Sequence, residues 1–313
     1  MTMTNLTGDG DPSKSFQQKF CLAGVTTGVR FELICLVTLN ICLSIKALLG
    51  NAIILVALHK ESSLYPPTKL LFRCLATTDL CVGLISEPLN VINLISVVRK
   101  RWNICYYSSV VSFIMGYILA SVSLLTITAL SVDRLLALLL GLRYRHVVTL
   151  KRTYLATTVF WVLPIVSTAL YFWNNHITLW YGYIGIALCL LTSTFSYTKI
   201  FVTLRRYRSR VENRVQQEHP SQSIPLNISR YRKAVSSALW LQSVTLVVCY
   251  LPFGIADVLF TQSGLSSTVY AVREFGVALV FLNSSLNPIL YCWKIREVRQ
   301  AVKDTIRHLF VIT

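Results

Sequence analysis

Seven stretches of apolar residues, each roughly 20 residues or longer, lie between Leu33 and Cys292. A run of this length lets a helix cross ~30 Å of hydrocarbon, and only a helix or a closed barrel satisfies its own backbone hydrogen bonds there. The sequence therefore predicts an all-α membrane protein, a seven-transmembrane helix bundle. We place the spans at about 33–58, 69–97, 105–137, 153–174, 177–205, 233–262 and 269–292.

The composition excludes a soluble protein, and the positions of the spans divide the chain into three segments. Hydrophobic residues make up 54% of the 313 residues and charged residues 14%, which is too apolar for a soluble domain of this length. We expect an extracellular tail over 1–32, the helix bundle over 33–292, and a cytoplasmic helix and tail over 293–313. Because residues 1–32 contain no apolar h-region, we expect no cleavable signal peptide.

The basic residues predict the orientation. Most of the 30 Lys and Arg residues follow the first, third and fifth spans or lie in the C-terminal tail. By the positive-inside rule the N-terminus is extracellular, as expected for a multi-pass protein of the plasma membrane. The net charge of +17 then reflects topology and contact with anionic membrane lipids. We expect no nucleic-acid partner.

Sequons and the C-terminal pattern agree with this orientation. Asn5-Leu6-Thr7 is a glycosylation sequon in the extracellular tail, so we expect a sugar on Asn5. Asn227 has the same sequon, but it lies in the polar stretch 206–232, which predicts a cytoplasmic loop, and it should stay bare. Apolar residues recur at 295, 298, 302, 306, 309 and 310. This spacing predicts an amphipathic helix on the inner leaflet.

Asp79 is a charged group inside the second span, where insertion costs ~2.5–3.5 kcal/mol and demands a partner or a function. A buried polar cluster around it is able to hold a cation such as sodium. The alternative is a water-filled network that only packs the bundle, and the residues alone leave both open. The side chains of other spans that can hydrogen-bond to this acid are Asn51, Ser123, Asn283, Ser284 and Asn287.

Arg134 follows Asp133 at the inner end of the third span. The neighbouring carboxylate lowers the cost of the guanidinium, and a partner that offers the Arg better contacts can break such a pair. The alternative is a snorkelling Arg with a local salt bridge.

Pro252 and Pro288 each remove a backbone hydrogen bond and kink the sixth and seventh spans, which gives the bundle hinges.

These motifs carry a resemblance that covers residues 33–310. The chain resembles a class A, rhodopsin-like G protein-coupled receptor, because seven motifs occur in the expected order and spans. They are Gly50-Asn51, Leu75-Ala76 with Asp79, Asp133-Arg134, Trp161, Tyr197 with Ile200, Cys249 with Pro252, and Asn287-Pro288-Ile289-Leu290-Tyr291.

The resemblance implies a cell-surface receptor that binds an extracellular ligand and activates a heterotrimeric G protein by helix rearrangement, with arrestin as a further partner. It implies that Arg134 contacts the G protein and that Tyr197 and Tyr291 stabilise the active state. The resemblance assigns G-protein coupling and activation to Asp133, Arg134, Tyr197, Asn287, Pro288 and Tyr291. It assigns a sodium and water site to Asp79, Ser123, Asn283 and Asn287.

The chain departs from the family pattern at several positions. Leu135 replaces the Tyr that usually follows the Arg, and Tyr250 replaces the Trp usually found two residues before Pro252, the toggle and hinge pair. Arg232 occupies the position where some members place an acid to latch the Arg, so no such latch can form and we expect basal signalling. Cys189 stands where many members have a fifth-span Pro.

The cysteines and the second extracellular loop suggest a subgroup. That loop, residues 173–177, is short and has no Cys, so the usual disulfide to the third span is missing. With no fifth-span Pro, the chain is similar to the melanocortin, lysophospholipid and cannabinoid receptor group. Only Cys21 and Cys105 among the nine cysteines reach the oxidising side. They form a bridge or remain two free thiols.

Two positions limit the classes of ligand that we expect this chain to bind. Gly116 stands where aminergic receptors hold an Asp, so amine recognition of that kind is not expected. Phe281 occupies the place of the retinal Lys in opsins, so we expect no retinal Schiff base and no cofactor beyond an allosteric sodium ion.

An acidic ligand pocket is one reading of the outer halves of the spans. Glu87, Asp257 and Glu274, beside Gly116 and Tyr250, are able to bind a cationic peptide or small cation. In the alternatives, Asp257 and Glu274 are solvated or Glu87 pairs with a basic residue, Lys46 or Arg273. A lipid agonist is the remaining possibility.

Two other function classes fit less well. A transporter should show paired discontinuous helices or repeat symmetry, and the sequence shows neither. An intramembrane enzyme needs a nucleophile and base, or metal ligands, at matching depth. All five histidines lie at or outside the membrane edges, so we expect no enzyme.

Overall fold

The computed structural model describes residues 21, 28–60, 64–171, 173, 175–218, 226–263, 266–294 and 296–311. Of residues 207–218 and 226–243, and of a few positions near helix ends, it describes the backbone alone. The described helices are α1 (Arg30–Lys60), α2 (Pro66–Val98), α3 (Trp102–Leu140), α4 (Leu150–Tyr171), α5 (Asn175–Glu218), α6 (Leu226–Ser263), α7 (Ser267–Lys294) and α8 (Arg296–Val311). A 3-10 turn (Gly141–Arg143) and a short helix (Tyr144–Val147) follow α3.

The helices α1 to α7 are long and apolar enough to cross a membrane. This confirms the predicted seven-transmembrane bundle. Large apolar side chains on their outer faces are exposed, among them Ile34, Leu155 and Leu188. Such a surface is stable against lipid, where the backbone polar groups are already satisfied within each helix.

Two helices extend beyond their predicted spans. The helix α5 continues to Glu218 and α6 begins at Leu226, so most of the stretch predicted as a loop, 206–232, is helical. These extensions are rich in Arg, Gln and Glu, which have high helix propensity. The side chains of Asn227 and Arg232, and all of Asn5, lie outside the described residues.

A π-helical turn, Val82–Ser86, interrupts α2. Pro88 follows this turn and has no N–H to donate to the carbonyl four residues earlier, so a wider turn relieves the conflict. Asp79 precedes the turn and Glu87 follows it, and both side chains are fully buried. The second span therefore places two acids inside the bundle at different depths.

The helix α7 approaches α1 and α6 at two glycines. A Cβ atom at Gly50 would lie 2.9 Å from Pro288 Cγ, and one at Gly276 would lie 2.9 Å from Phe253 Cα. Neither distance leaves room for a side chain, so both contacts require glycine. The first contact explains why Gly50 accompanies Pro288 in this sequence.

The helix α8 lies against the inner end of the bundle. Val298 is buried in the apolar cluster that also contains Ile54 and Tyr291, while Arg299 and Lys303 are exposed. The helix therefore has one apolar and one polar face, as its sequence spacing predicts.

Two features hold the outer ends of the helices. A disulfide joins Cys21 to Cys105 and ties the N-terminal segment to the start of α3. Only residues 172–174 connect α4 to α5. Thr178 Oγ1 donates a hydrogen bond of 2.6 Å to the Ser167 carbonyl and fixes this tight connection.

Candidate functional site

A cavity of about 160 Å³ lies among the outer halves of α2, α3, α5, α6 and α7. Its lining is mostly apolar and aromatic, with a few polar side chains, which is the usual character of a small-molecule site. The apolar and aromatic lining residues include Phe113, Tyr117, Ile186, Tyr250, Phe253, Val277 and Phe281. Gly116 also lines the cavity, and a Cβ atom there would meet no described atom within 4 Å.

Ion pairs form the polar end of this cavity. Arg273 Nε lies 2.9 Å from Asp257 Oδ1, and Arg273 Nη1 lies 2.8 Å from Glu274 Oε1. The hydroxyl of Tyr183 donates to Asp257 Oδ2 at 3.1 Å. We call Asp257, Arg273 and Glu274 the outer ion cluster. Its two carboxylates and one guanidinium leave one formal negative charge.

One oxygen of the outer ion cluster has no well-placed donor. Glu274 Oε2 is buried and accepts no hydrogen bond of standard geometry from any described residue. The amide of Asn90, whose nitrogen also lacks an acceptor of standard geometry, is near enough to the Glu274 carboxylate to interact with it as a donor. Both residues line the cavity. A buried acceptor without a well-placed donor costs free energy. The site can therefore receive a ligand group that donates to Glu274.

The structure corrects the predicted acidic pocket in two respects. Gly116, Tyr250, Asp257 and Glu274 line the cavity, but Glu87 does not. Glu87 lies deeper in the span, one turn before the lining residue Asn90, and close enough to Asp79 for the two carboxylates to repel.

The remaining two acids are also not arranged as predicted. Arg273 neutralises one charge between them, and Glu274 is only 2% exposed, so it is neither a bare nor a solvated acid. Arg273 pairs with Asp257 and Glu274, and not with Glu87 as one sequence alternative had it. Both oxygens of Glu87 lack a hydrogen-bond partner among the described residues.

Asp79 lies at the centre of a second polar cluster, in the inner half of the bundle. Its Oδ1 accepts hydrogen bonds from Ser123 at 2.9 Å and Ser284 at 2.8 Å, and its Oδ2 accepts one from Asn287 Nδ2 at 2.7 Å. Asn51 joins the cluster through the carbonyl of Ser284. We call Asp79, Ser123, Ser284 and Asn287 the inner polar cluster. Three helices, α2, α3 and α7, contribute to it.

Of the two adjacent α7 residues predicted as partners of Asp79, Asn283 and Ser284, one donates to it, and the sodium site itself stays a prediction. Ser284, not Asn283, donates to Asp79, because the helical turn places residue 284 on the face of α7 that meets α2. The residues still fit a monovalent cation. The side-chain oxygens of Asn51 and Asn287 are buried and accept no hydrogen bond from described residues, and oxygen atoms are the ligands of hard cations.

Asp133 and Arg134 form the third polar site, at the inner end of α3. Asp133 accepts hydrogen bonds from the Tyr144 hydroxyl at 2.6 Å and the Thr68 hydroxyl at 3.0 Å. Arg134 Nε lies 3.8 Å from Asp133 Oδ2, which is a long ion pair, and the Arg134 side chain remains one-third exposed. Asp133 is therefore held more firmly than its neighbour, and Arg134 is available to a partner.

An apolar cluster connects the cavity to Arg134. Tyr250 lines the cavity and packs in the same cluster as Tyr197, Tyr291 and Phe72. The rings of Phe72 and Tyr291 meet edge to face with centroids 5.1 Å apart, and the Arg134 guanidinium lies 5.8 Å from the Phe72 centroid. The two ends of the bundle thus share one packed core.

Sequence reasoning missed several contributors to these sites. Thr68 has no motif around it, and only its place in the first turn after Pro66-Pro67 hints at burial. Tyr183 lies in an apolar fifth span with nothing to single it out. Arg273 and Glu274 were both named from the sequence but not as a pair, although their adjacency could have suggested a local ion pair.

The comparisons with known proteins agree with this arrangement. The family described as "7 transmembrane receptor (rhodopsin family)" matches residues 50–175 and 165–291. Adenosine receptor A3 of Ovis aries is 24% identical over 88% of this chain and 90% of its own length. Adenosine receptor A2a of Canis lupus familiaris is 24% identical over 87% of this chain and 72% of its length.

A third relative, trace amine-associated receptor 6 of Mus musculus, is 21% identical over 83% of this chain and 81% of its length. The resemblance to the melanocortin, lysophospholipid and cannabinoid group stays a prediction. The family match, the seven helices and the polar sites in their expected spans agree with one another. The chain therefore belongs to the rhodopsin family of seven-transmembrane receptors.

Proposed function

We propose that this receptor binds an extracellular ligand in the outer cavity and activates a heterotrimeric G protein through Arg134. The observation that carries this proposal is the position of Tyr250. It lines the cavity and also packs in the cluster that reaches Arg134 through Tyr291 and Phe72. A ligand that contacts Tyr250 differently in two arrangements of the bundle shifts the balance between them.

The kinked helices supply the movement. Pro252 lies two residues after Tyr250, and Pro288 follows Asn287 of the inner polar cluster. Each proline removes a backbone hydrogen bond, so the inner ends of α6 and α7 can swing with little cost to the helices. Arg134 then exchanges its long ion pair with Asp133 for contacts with the G protein. The same inner face is our proposed contact for arrestin.

The ligand we propose is a small molecule with a hydrogen-bond donor, preferably a cationic amine or amidine, at one end of an apolar body. The donor end pairs with Glu274 Oε2, and the negative formal charge of the outer ion cluster favours a cation. Relatives named for adenosine and for trace amines also point to small, donor-bearing molecules. A neutral lipid that contacts only the apolar walls is the second candidate.

We also propose a plasma-membrane location with the N-terminus outside. The described basic residues Arg143, Arg145, Lys151 and Arg152 lie at the same end of the bundle as Arg134, and the positive-inside rule places that end in the cytoplasm. Peptide mapping of purified receptor should find sugar on Asn5. Sugar on Asn227 would overturn this topology.

A sodium ion at the inner polar cluster is the third element of the proposal. Asp79 would supply the charge, and the buried side-chain oxygens of Asn287, Ser123 and Ser284 would complete the ligands. A bound cation there would hold α2, α3 and α7 together and oppose their rearrangement.

The test of the proposed function is nucleotide exchange on a co-expressed G protein. Membranes that contain the receptor are screened with small amines, amidines, nucleosides and lipids, and exchange is compared with membranes that contain Arg134→Ala at equal surface expression. We expect an agonist-dependent rise that Arg134→Ala abolishes. An agonist response that survives this substitution would remove Arg134 from the proposal, and no response to any class would remove the ligand assignment.

A further inference from the structure

A groove on the lipid-facing side of the bundle lies between the inner halves of α2 and α4. Residues at helical spacing form its two walls, with Leu70, Arg73 and Cys74 on α2 and Tyr154, Thr158 and Trp161 on α4. The groove encloses about 330 Å³. It is separate from the outer cavity and shares no lining residue with it.

Arg73 is the unusual residue of this groove. It is half-buried and lies seven residues after Pro66, where α2 begins, which places it about 10 Å along the helix. Its hydrogen bond to the Leu58 carbonyl is long, at 3.4 Å, and no described carboxylate lies within 4.0 Å of its guanidinium. A guanidinium at membrane depth is costly without an anionic partner.

The surroundings of Arg73 suit one class of partner. Tyr154 presents a half-exposed phenol on the facing wall, and Thr158 donates to the Tyr154 carbonyl, so its hydroxyl oxygen can still accept. No carboxylate lines the groove. Arg152 is exposed at the start of α4, at the level where lipid headgroups lie. Basic residues at this level attract anionic lipids of the cytoplasmic leaflet.

We propose that the groove binds an anionic phospholipid of the cytoplasmic leaflet. Its phosphate pairs with the Arg73 guanidinium, which presents several N–H donors in a geometry that matches phosphate oxygens. One acyl chain lies along the groove against Leu70 and Trp161. The lipid bridges α2 and α4, and it satisfies the charge that the protein leaves without a carboxylate.

A simpler role for Arg73 is to cap α1. Leu58 is two residues from the end of that helix, so its carbonyl has no partner within the helix. A basic side chain near a helix C-terminus is also favoured by the helix dipole. The cap uses one long hydrogen bond, however, and it leaves further N–H groups of the guanidinium free to donate to a second partner. The two roles predict different dependence on lipid headgroup.

The experiment compares lipid retention in native mass spectra of the full-length receptor. The protein is reconstituted in nanodiscs of phosphatidylcholine with phosphatidylserine, with phosphatidylcholine alone, or with added cholesterol. The variants are Arg73→Gln, which removes the charge, and Arg73→Lys, which keeps it. Arg152→Gln is the matched control, because Arg152 also donates to a backbone carbonyl, Val147, but lies outside the groove.

We expect the wild type to retain phosphatidylserine over phosphatidylcholine, and Arg73→Gln to lower this preference about fivefold, the weight of one basic residue at an anionic surface. Arg73→Lys and Arg152→Gln should keep most of it. If Arg73→Gln retains phosphatidylserine like the wild type while its thermal stability falls equally in every lipid, Arg73 is only a helix cap and the proposal is wrong. Preferential retention of cholesterol in the groove would overturn it as well.

Discussion

The outer ion cluster and the inner polar cluster carry the same formal charge but compensate it in opposite ways. In the outer cluster one guanidinium is shared by two carboxylates, and one carboxylate oxygen lacks a well-placed donor. In the inner cluster a single carboxylate, Asp79, receives three hydrogen bonds from neutral donors. The outer cluster can accept a donor from a ligand, whereas the inner cluster can accept a small cation.

Because of this difference, the loss of one charged group has different consequences in the two clusters. Removal of the guanidinium from the outer cluster leaves one buried and one partly buried acid that repel each other. Removal of the charge from Asp79 leaves only neutral groups that still hydrogen-bond. A buried ion pair is therefore strongly destabilised when one partner is removed, whereas a hydrogen-bonded carboxylate tolerates neutralisation.

The largest effect should follow Arg273→Gln. We expect it to destabilise the receptor by about 3–5 kcal/mol, the usual result when one partner of a buried ion pair is removed. Thermal inactivation of the purified receptor in nanodiscs measures this. The control is Arg99→Gln, a substitution at an exposed Arg in the turn after α2.

The double variant Arg273→Gln with Asp257→Asn should recover part of the lost stability, because it removes one of the two repelling acids. If Arg273→Gln is as stable as Arg99→Gln, the cluster is not held by ion pairs, and the contrast with the inner cluster disappears.

A smaller effect should follow Asp79→Asn. Asparagine can still accept from Ser123 and Ser284, and its NH2 group can donate to Asn287 once that amide turns its unpaired oxygen toward it, so we expect a change in stability below ~1 kcal/mol. Sodium should lower agonist affinity in the wild type roughly tenfold, a coupling of ordinary size, and should have no effect in the variant. Radioligand binding in sodium and in N-methylglucamine buffers measures this, with the exposed Asp304→Asn as the control. Equal sodium dependence in both receptors would contradict a cation at this cluster.

The sequence was sufficient to predict the helix bundle and most of the polar contacts in its inner half. Hydrophobic length alone located seven helices, since nothing else satisfies a backbone in hydrocarbon. The partners of Asp79 were predictable because a buried acid demands donors and few polar residues share its depth. Which of the two adjacent candidates, Asn283 and Ser284, donates to Asp79 was not predictable, because adjacent residues on a helix differ by about 100° in direction and helix rotation is set by packing.

The outer half was less predictable for a physical reason. Glu87, Asp257 and Glu274 all lie in the outer halves of spans, but the π-helical turn in α2 sets the direction of every later residue of that helix. Periodicity counted through such a turn misplaces Glu87. The pairing of Arg273 with Asp257 depends on how α6 meets α7, near Gly276, a contact that no local pattern encodes.

The most direct test of this account is the concentration dependence of nucleotide exchange, driven by the agonist found in the screen, for Glu274→Gln and Glu87→Gln at matched surface expression. Both substitutions remove one buried acid and keep its shape, but only Glu274 lines the cavity. The account predicts about a tenfold loss of potency for Glu274→Gln, or ~1.4 kcal/mol, and unchanged potency for Glu87→Gln. Unchanged potency for Glu274→Gln, or an equal loss for Glu87→Gln, would contradict it.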